Sequence, residues 1–153
     1  MTEIIGDILE TKAQWIIHQC NITSEKVKGL ALDIFTKYPY ANTYQRNSVV
    51  KRQIGTVSFH YGHKNIINLY AQRFPGSSRY PNDTEVNRLN WFISGLRQIE
   101  TECKTNPSKF QSFAFPKYIG CGLAGGQWNL YYRCIQKFAS NVNVPVYIHT
   151  IKI

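Results

Sequence analysis

The chain of 153 residues lacks the features that mark several common classes of protein. It has no apolar run of about 18 residues, so we expect neither a transmembrane helix nor a membrane partner. Residues 1–12 include acidic side chains and no long apolar region, so we expect no cleaved signal peptide. The four cysteines form neither a C-x-x-C pair nor a Cys/His cluster with zinc-site spacing, so we expect no metal site. Cys20 and Cys134 stand among apolar residues, which predicts buried free thiols and a reducing compartment, the cytoplasm.

Acidic residues are also absent from the last third of the chain, because none follows Glu102. The formal net charge is +9 at pH 7. A basic chain attracts anions, so a phosphate-bearing ligand or a nucleic acid is a candidate partner. A solvated basic face with no ligand explains the same charge.

The apolar residues repeat with alternating strand and helix periods. After a short first strand, strands are predicted at residues 13–20, 54–61, 64–72, 112–116 and 144–151, with Gly62-His63 as a turn. Helices are predicted at residues 29–38, after the capping residues Asn82-Asp83-Thr84, and from Trp128. The second helix is expected to bury one face, made of Val86, Leu89, Ile93, Leu96 and Ile99.

This alternation, broken by one hairpin, predicts a three-layer α/β/α fold with a mixed, mostly parallel sheet. We expect residues 1–153 to form one domain. Ligands of such folds bind beyond the carboxyl ends of the strands. Polar or glycine-rich residues that follow strands are therefore the candidates for a site.

One such segment, I-G-C-G-L-A-G-G-Q-W at residues 119–128, contains a formal G-x-G-x-x-G. A nicotinamide-binding fingerprint needs an acidic residue about 20 positions later, and none follows. A Walker loop is excluded because no Gly-Lys-Ser/Thr closes the segment. The glycines and the helix start favour a loop whose amides bind phosphate; a turn that needs positive φ is the alternative.

Four motifs together resemble a macrodomain, the ADP-ribose-binding module, over nearly the whole chain. They are G-D-I-L at residues 6–9, H-Q-C-N at 18–21, K-G-L-A at 28–31 and I-G-C-G-L-A-G-G-x-W at 119–128. The chain is similar to the small stand-alone branch with ADP-ribose 1″-phosphate phosphatases and ADP-ribosyl-glutamate hydrolases, including phage and viral members. The resemblance implies ADP-ribose or its 1″-phosphate as the ligand, no cofactor, and the cytoplasm, or host cytoplasm for a viral protein.

The resemblance also implies roles for individual residues. Asp7 would accept a hydrogen bond from the adenine amino group, the Ile8 amide would meet an adenine ring nitrogen, and Asn21 would contact the distal ribose. The first phosphate loop would consist of Lys28, Gly29, Leu30 and Ala31. The second would consist of Gly120, Cys121, Gly122, Leu123, Ala124, Gly125, Gly126 and Gln127. Tyr131, Tyr132, Tyr147 and His149 are open alternatives for contact with adenine.

Two features depart from the family pattern. Many macrodomains carry three or four glycines in the first loop, where this chain keeps only Gly29. The glutamate-directed hydrolases carry an aspartate after G-C-G-L, where this chain has Ala124. The second departure argues against that hydrolase chemistry.

The leading hypothesis is hydrolysis of ADP-ribose 1″-phosphate to ADP-ribose and phosphate, without a metal. His18 would be the general acid or base, since its pKa lies near neutrality, and Asn21 would orient the ribose or the attacking water. Amides of residues 122–126 would stabilise charge on the phosphoryl oxygens. Asp83 is a helix cap first and an active-site acid second.

Two alternatives stay open: a non-catalytic reader of ADP-ribose or a related nucleotide, and a hydrolase that removes ADP-ribose from protein or nucleic acid. Nucleic acid is compatible with the basic charge but is not required by it. We expect the chain to be a monomer.

Overall fold

In the computed structural model, which describes residues 1–150, six strands form one sheet. The strands are β1 (Thr2–Ile5), β2 (Trp15–Asn21), β3 (Val57–His60), β4 (Asn65–Gln72), β5 (Phe113–Pro116) and β6 (Val146–Thr150). The helices are α1 (Gly29–Lys37), α2 (Glu85–Thr105) and α3 (Trp128–Val142), and short 3₁₀ turns lie at Ile8–Glu10, Pro39–Ala41 and Pro107–Lys109. The order β1-β6-β5-β2-β4-β3 is parallel except for the β3–β4 hairpin. The predicted mixed, mostly parallel sheet is therefore confirmed.

The sheet lies between two layers of helix, as predicted. Strand β2 is buried on both faces, and its side chains alternate between the layers. Ile16 and Cys20 pack with α1, whereas Trp15 and Ile17 pack with α2 and α3. Each predicted strand and helix is present with small shifts at its ends; Ile151, the last residue of the predicted final strand, lies outside the described residues.

The prediction for the buried face of α2 is partly wrong. Val86 is 68% exposed, and the residues that are buried are Arg88, Phe92, Gly95, Leu96 and Ile99. Gly95 sets the rotation of the helix, because a Cβ atom there would stand 2.6 Å from Leu69 Cγ on β4. Close contact between helix and sheet at this glycine brings the polar Arg88 inward and leaves Val86 outside.

The helix cap and the cysteines also refine the predictions. Thr84 caps α2, since its side chain accepts a hydrogen bond from the Asn87 amide, so the first role expected for Asp83 is wrong. All four cysteines are free, but only Cys20 is fully buried, while Cys134 is half-buried. No helix within residues 1–150 combines the length and apolar character needed to cross a membrane.

Candidate functional site

Two loops that follow parallel strands face each other at one edge of the sheet. The loop after β2 leads into α1 at Gly29, and the loop after β5 leads into α3 at Trp128. They approach closely, because a Cβ atom on Gly29 would lie 3.9 Å from Leu123 Cδ1. The structure therefore brings together the two segments that the sequence predicts as phosphate loops.

The first loop is shaped by Asn21, the last residue of β2. Its Oδ1 accepts hydrogen bonds from the amides of Thr23 (3.2 Å) and Ser24 (2.8 Å). Its own amide donates to the Tyr44 hydroxyl at 2.9 Å, and only 7% of the residue is exposed. A shift in the β2–β4 register between Cys20 and Asn21 accompanies this turn out of the sheet. Asn21 thus holds the loop in place, while its predicted contact with a ribose remains a prediction.

The start of α1 offers free backbone donors. Lys28 occupies the cap position with extended backbone, and no described side chain caps the helix. Gly29 has a φ of 63°, which favours glycine. The amides of the first helical turn, at Gly29, Leu30 and Ala31, have no intrahelical acceptor and point out of the helix start. Such an end favours an anion.

The second loop is packed against one aromatic ring. A Cβ atom on Gly120 would stand 2.5 Å from Tyr131 Cε2, and one on Gly126 would stand 2.8 Å from Tyr131 Cε1. Tyr131 is itself buried against Phe92, so it cannot yield, and it is not free to contact adenine. Packing alone therefore requires glycine at both positions.

The open part of this loop is its tip. A Cβ atom on Gly122 would meet nothing within 4 Å, and Leu123 is 77% exposed. The Gly126 amide donates to Gly120 O at 2.9 Å and the Gly125 amide to Gly122 O at 3.2 Å. The expectation that all amides of residues 122–126 face a ligand is therefore wrong for these two. Among the described residues, none accepts from the amides of Gly122, Leu123 and Ala124.

The adenine-side candidates lie after β1. Asp7 is exposed, and its Oδ1 accepts a hydrogen bond from the Leu9 amide at 2.9 Å, which leaves its second oxygen free for a ligand. The Ile8 side chain is buried. His149 is held by the Thr11 hydroxyl at 2.7 Å and is buried, so its ring supports this turn from below.

His18 lies in the core rather than at the loops. Its ring is 1% exposed, packs edge-on against Phe35 of α1, and has its Nε2 2.6 Å from Asn68 Oδ1. The Asn68 amide nitrogen donates to Ala41 O, so its oxygen faces His18 and accepts from the ring N–H. Burial lowers the pKa of His18 to about 4. A neutral ring in the core has no access to a ligand outside it, and the geometry does not support the predicted role as general acid or base.

Asp83 is equally occupied. It is fully buried, and its two oxygens accept from Arg88 and from the amides of Arg73 and Phe74. Burial alone would raise its pKa, but these hydrogen bonds outweigh burial and hold the pKa below its ordinary value. A carboxylate engaged in this way supports structure, and the geometry does not favour the active-site role considered for it.

Two features at this edge of the sheet were not predicted. Gln19 donates to Gln72 Oε1 at 2.8 Å, while its own buried Oε1 has no partner among the described residues and lies beneath Gly120. Arg52 donates to the carbonyls of Asn21 and Ser24 from a distant loop. The only sign of this Arg52 contact in the sequence is the basic pair Lys51-Arg52, which does not differ from other surface charge.

Residues 1–150 contain no group of three or more His, Cys, Asp and Glu side chains that could hold a metal ion.

Comparison with known proteins identifies the fold. No protein-family model matches the sequence, and no curated protein matches it. Among solved structures, the macrodomain of Mycobacterium tuberculosis DarG is 20% identical, with a TM-score of 0.73 over 95% of this chain and 97% of that one. Thermosipho africanus DarTG in complex with ADP-ribose is 19% identical, with a TM-score of 0.76 over 97% of this chain and 41% of that one.

The Oceanobacillus iheyensis macrodomain with ADP is 17% identical, with a TM-score of 0.69 over 98% of this chain and 82% of that one. These similarities cover nearly all of the present chain, and the six-stranded mixed sheet between two helical layers agrees with them. The chain has the macrodomain fold.

Proposed function

We propose that this chain binds ADP-ribose in the cleft between residues 28–31 and residues 120–126. The observation that carries the proposal is the approach of two loops with free amides, at Gly29 and at Leu123, over the start of α1. A diphosphate is the ligand group that such paired donors suit. The complexes of similar folds with ADP-ribose and with ADP support the choice of ligand.

With the diphosphate in this cleft, the adenine and the distal ribose of the ligand can be assigned partners. Asp7, exposed after β1, accepts from the adenine amino group, and the Ile8 amide donates to an adenine ring nitrogen. Asn21, the last residue of β2, meets the distal ribose. The three segments lie after the parallel strands β1, β2 and β5, so one extended nucleotide spans them.

The reaction proposed for this site is hydrolysis of ADP-ribose 1″-phosphate. Water attacks phosphorus, the bond from phosphorus to the 1″ oxygen breaks, and that oxygen takes a proton as inorganic phosphate leaves. The amides of Gly122, Leu123 and Ala124 donate to the diphosphate and so position the nucleotide for this reaction. Asn21 orients the ribose, and the attacking water supplies the proton, because His18 and Asp83 are engaged in the core.

A second candidate is a reader that binds ADP-ribose without cleaving it. The observation that favours it is the engagement of both predicted acid–base residues: His18 is buried against Asn68, and Asp83 is paired with Arg88. Without a free proton-transfer group, binding without turnover is the simpler outcome.

Calorimetry with ADP-ribose and a phosphate-release assay with its 1″-phosphate test both candidates. Binding with release supports the phosphatase, and binding without release supports the reader. No binding of ADP-ribose at millimolar concentration refutes both. Gly122→Val supplies the matched variant, since a Cβ atom at this position meets no described atom within 4 Å.

A further inference from the structure

A polar cavity of about 260 Å³ lies next to Asn21. Its walls are the turn after β2, at residues 22–25, and the segment 43–52. None of the residues that line it belongs to the four macrodomain motifs. Its volume is enough for a phosphate group with several water molecules, at about 30 Å³ for each water.

The cavity is lined by more positive than negative charge. Arg46, Lys51 and Arg52 line it together with one acidic residue, Glu25. Glu25 pairs with Arg46 at 3.0 Å on the exposed rim. Lys51 and Arg52 have no acidic partner among residues 1–150, so the cavity keeps two uncompensated cations.

Arg52 is held in position before any ligand arrives. Its guanidinium carbon lies 4.5 Å from the centre of the Tyr44 ring, and Nη1 donates to Ser24 O at 2.8 Å and to Asn21 O at 3.2 Å. A guanidinium fixed by one ring and two carbonyls loses little freedom on binding an anion. Its other nitrogens remain available as donors in the cavity.

Asn21 links this cavity to the proposed nucleotide cleft. Its carbonyl accepts from Arg52, and its amide donates to the hydroxyl of Tyr44, the residue on which Arg52 stacks. With the distal ribose at Asn21, as proposed, a group carried by that ribose lies next to residues that line the cavity. The positive charge of the cavity favours an anion as that group.

We propose that this cavity binds the phosphate on the distal ribose of ADP-ribose 1″-phosphate, with Lys51 and Arg52 as its cationic ligands. The proposal rests on the proposed function for the placement of the ribose at Asn21. Lys51 and Arg52 then determine specificity, because they distinguish the phosphorylated nucleotide from ADP-ribose itself.

Calorimetry with three ligands tests the proposal: ADP-ribose, inorganic phosphate, and a 1″-phosphonate analogue in which a methylene group replaces the bridging oxygen and blocks hydrolysis. The unmodified protein is expected to bind the phosphonate about tenfold more tightly than ADP-ribose, because one charge-assisted hydrogen bond contributes an affinity difference of about that size. Lys51→Gln is expected to remove that preference while the affinity for ADP-ribose stays unchanged. Lys104→Gln, at the exposed end of α2, is the matched control and is expected to change neither affinity.

A second, conservative variant, Arg52→Lys, tests the same site with less risk of misfolding. It keeps the positive charge and removes only the planar set of guanidinium donors. It is expected to lower the affinity for the phosphonate with an unchanged melting temperature. An unaltered ratio of phosphonate to ADP-ribose affinity in both variants overturns the cavity assignment and leaves the proposed function standing. If the unmodified protein binds no ADP-ribose but its binding of inorganic phosphate depends on Lys51, the proposed function fails and the cation pair is retained as a phosphate site.

Discussion

Arg88 and Asp83 form a buried ion pair that joins the loop after β4 to the glycine loop. Arg88 Nη2 lies 2.6 Å from Asp83 Oδ2, and Nε lies 3.0 Å from Oδ1. The same guanidinium donates to Gly76 O at 2.7 Å and to Ala124 O at 3.2 Å. The position of Ala124 at the proposed phosphate site therefore depends on a buried side chain of α2.

Arg88→Met is expected to destabilise the protein by about 3–5 kcal/mol, because it leaves the Asp83 carboxylate buried and unpaired. Urea denaturation measures the change. The double variant D83N/R88M removes both charges and is expected to lose less stability than the sum of the two single variants. Strictly additive losses would show that the two residues do not act as a pair.

Gly120→Ala and Gly122→Ala are expected to separate packing from ligand binding in the second loop. Gly120 has a φ of 74° and a Cβ atom there would collide with Tyr131, so its variant is expected to lose about 2 kcal/mol or more of folding stability. Gly122 has open space at the same position, so its variant keeps the stability of the parent.

The Gly122 variant is instead expected to weaken ADP-ribose binding, because its methyl group occupies space that is proposed to hold the diphosphate. Thermal unfolding and calorimetry on the same samples give both quantities. Full affinity for ADP-ribose in the Gly122 variant would contradict close approach of the ligand to the loop tip.

Asp7→Asn is expected to lower the affinity for ADP-ribose about tenfold, since an amide nitrogen replaces the carboxylate oxygen that is proposed to accept from the adenine amino group. The bond from the Leu9 amide is kept, because Asn offers the same Oδ1 acceptor. The inosine analogue of ADP-ribose, which presents a carbonyl in place of the amino group, is the control ligand. It should bind the variant at least as well as the parent, and the opposite order would remove Asp7 from the adenine site.

His18 is expected to make the folded protein less stable as the pH falls from about 6.5 to about 4. Its pKa is about 4 in the folded state and 6.5 when exposed, so the unfolded chain binds more protons in that window. The difference corresponds to about 3 kcal/mol, lost progressively on acidification. Urea denaturation at several pH values should give a smaller pH dependence for His18→Gln than for the parent.

The same variant tests the catalytic role predicted for His18. If the ring only fills the core, His18→Gln retains ADP-ribose binding and any phosphate release within a few-fold of the parent. A loss of release by several hundredfold with unchanged binding and folding would restore His18 as a general acid or base.

The sequence alone determined the layout of the fold and the position of the loops. The alternation of strand and helix periods is local information, so it located β2, β4 and α3 within a few residues. The order of motifs identified the resemblance, and the structural comparisons confirm the fold that it implies. The segment that contains Gly120 and Gly126 was found from its glycine content, which is also local information.

The tertiary structure decided which polar side chains are available for chemistry. His18 and Asn21 stand three residues apart in one motif, yet the first lies beneath α1 and the second turns out of the sheet. The partner of His18 is 50 residues away, at Asn68, and Arg52 reaches Asn21 from 31 residues away. Burial and hydrogen bonding depend on such distant neighbours, and a strand period reveals only the face on which a side chain lies, not what covers that face.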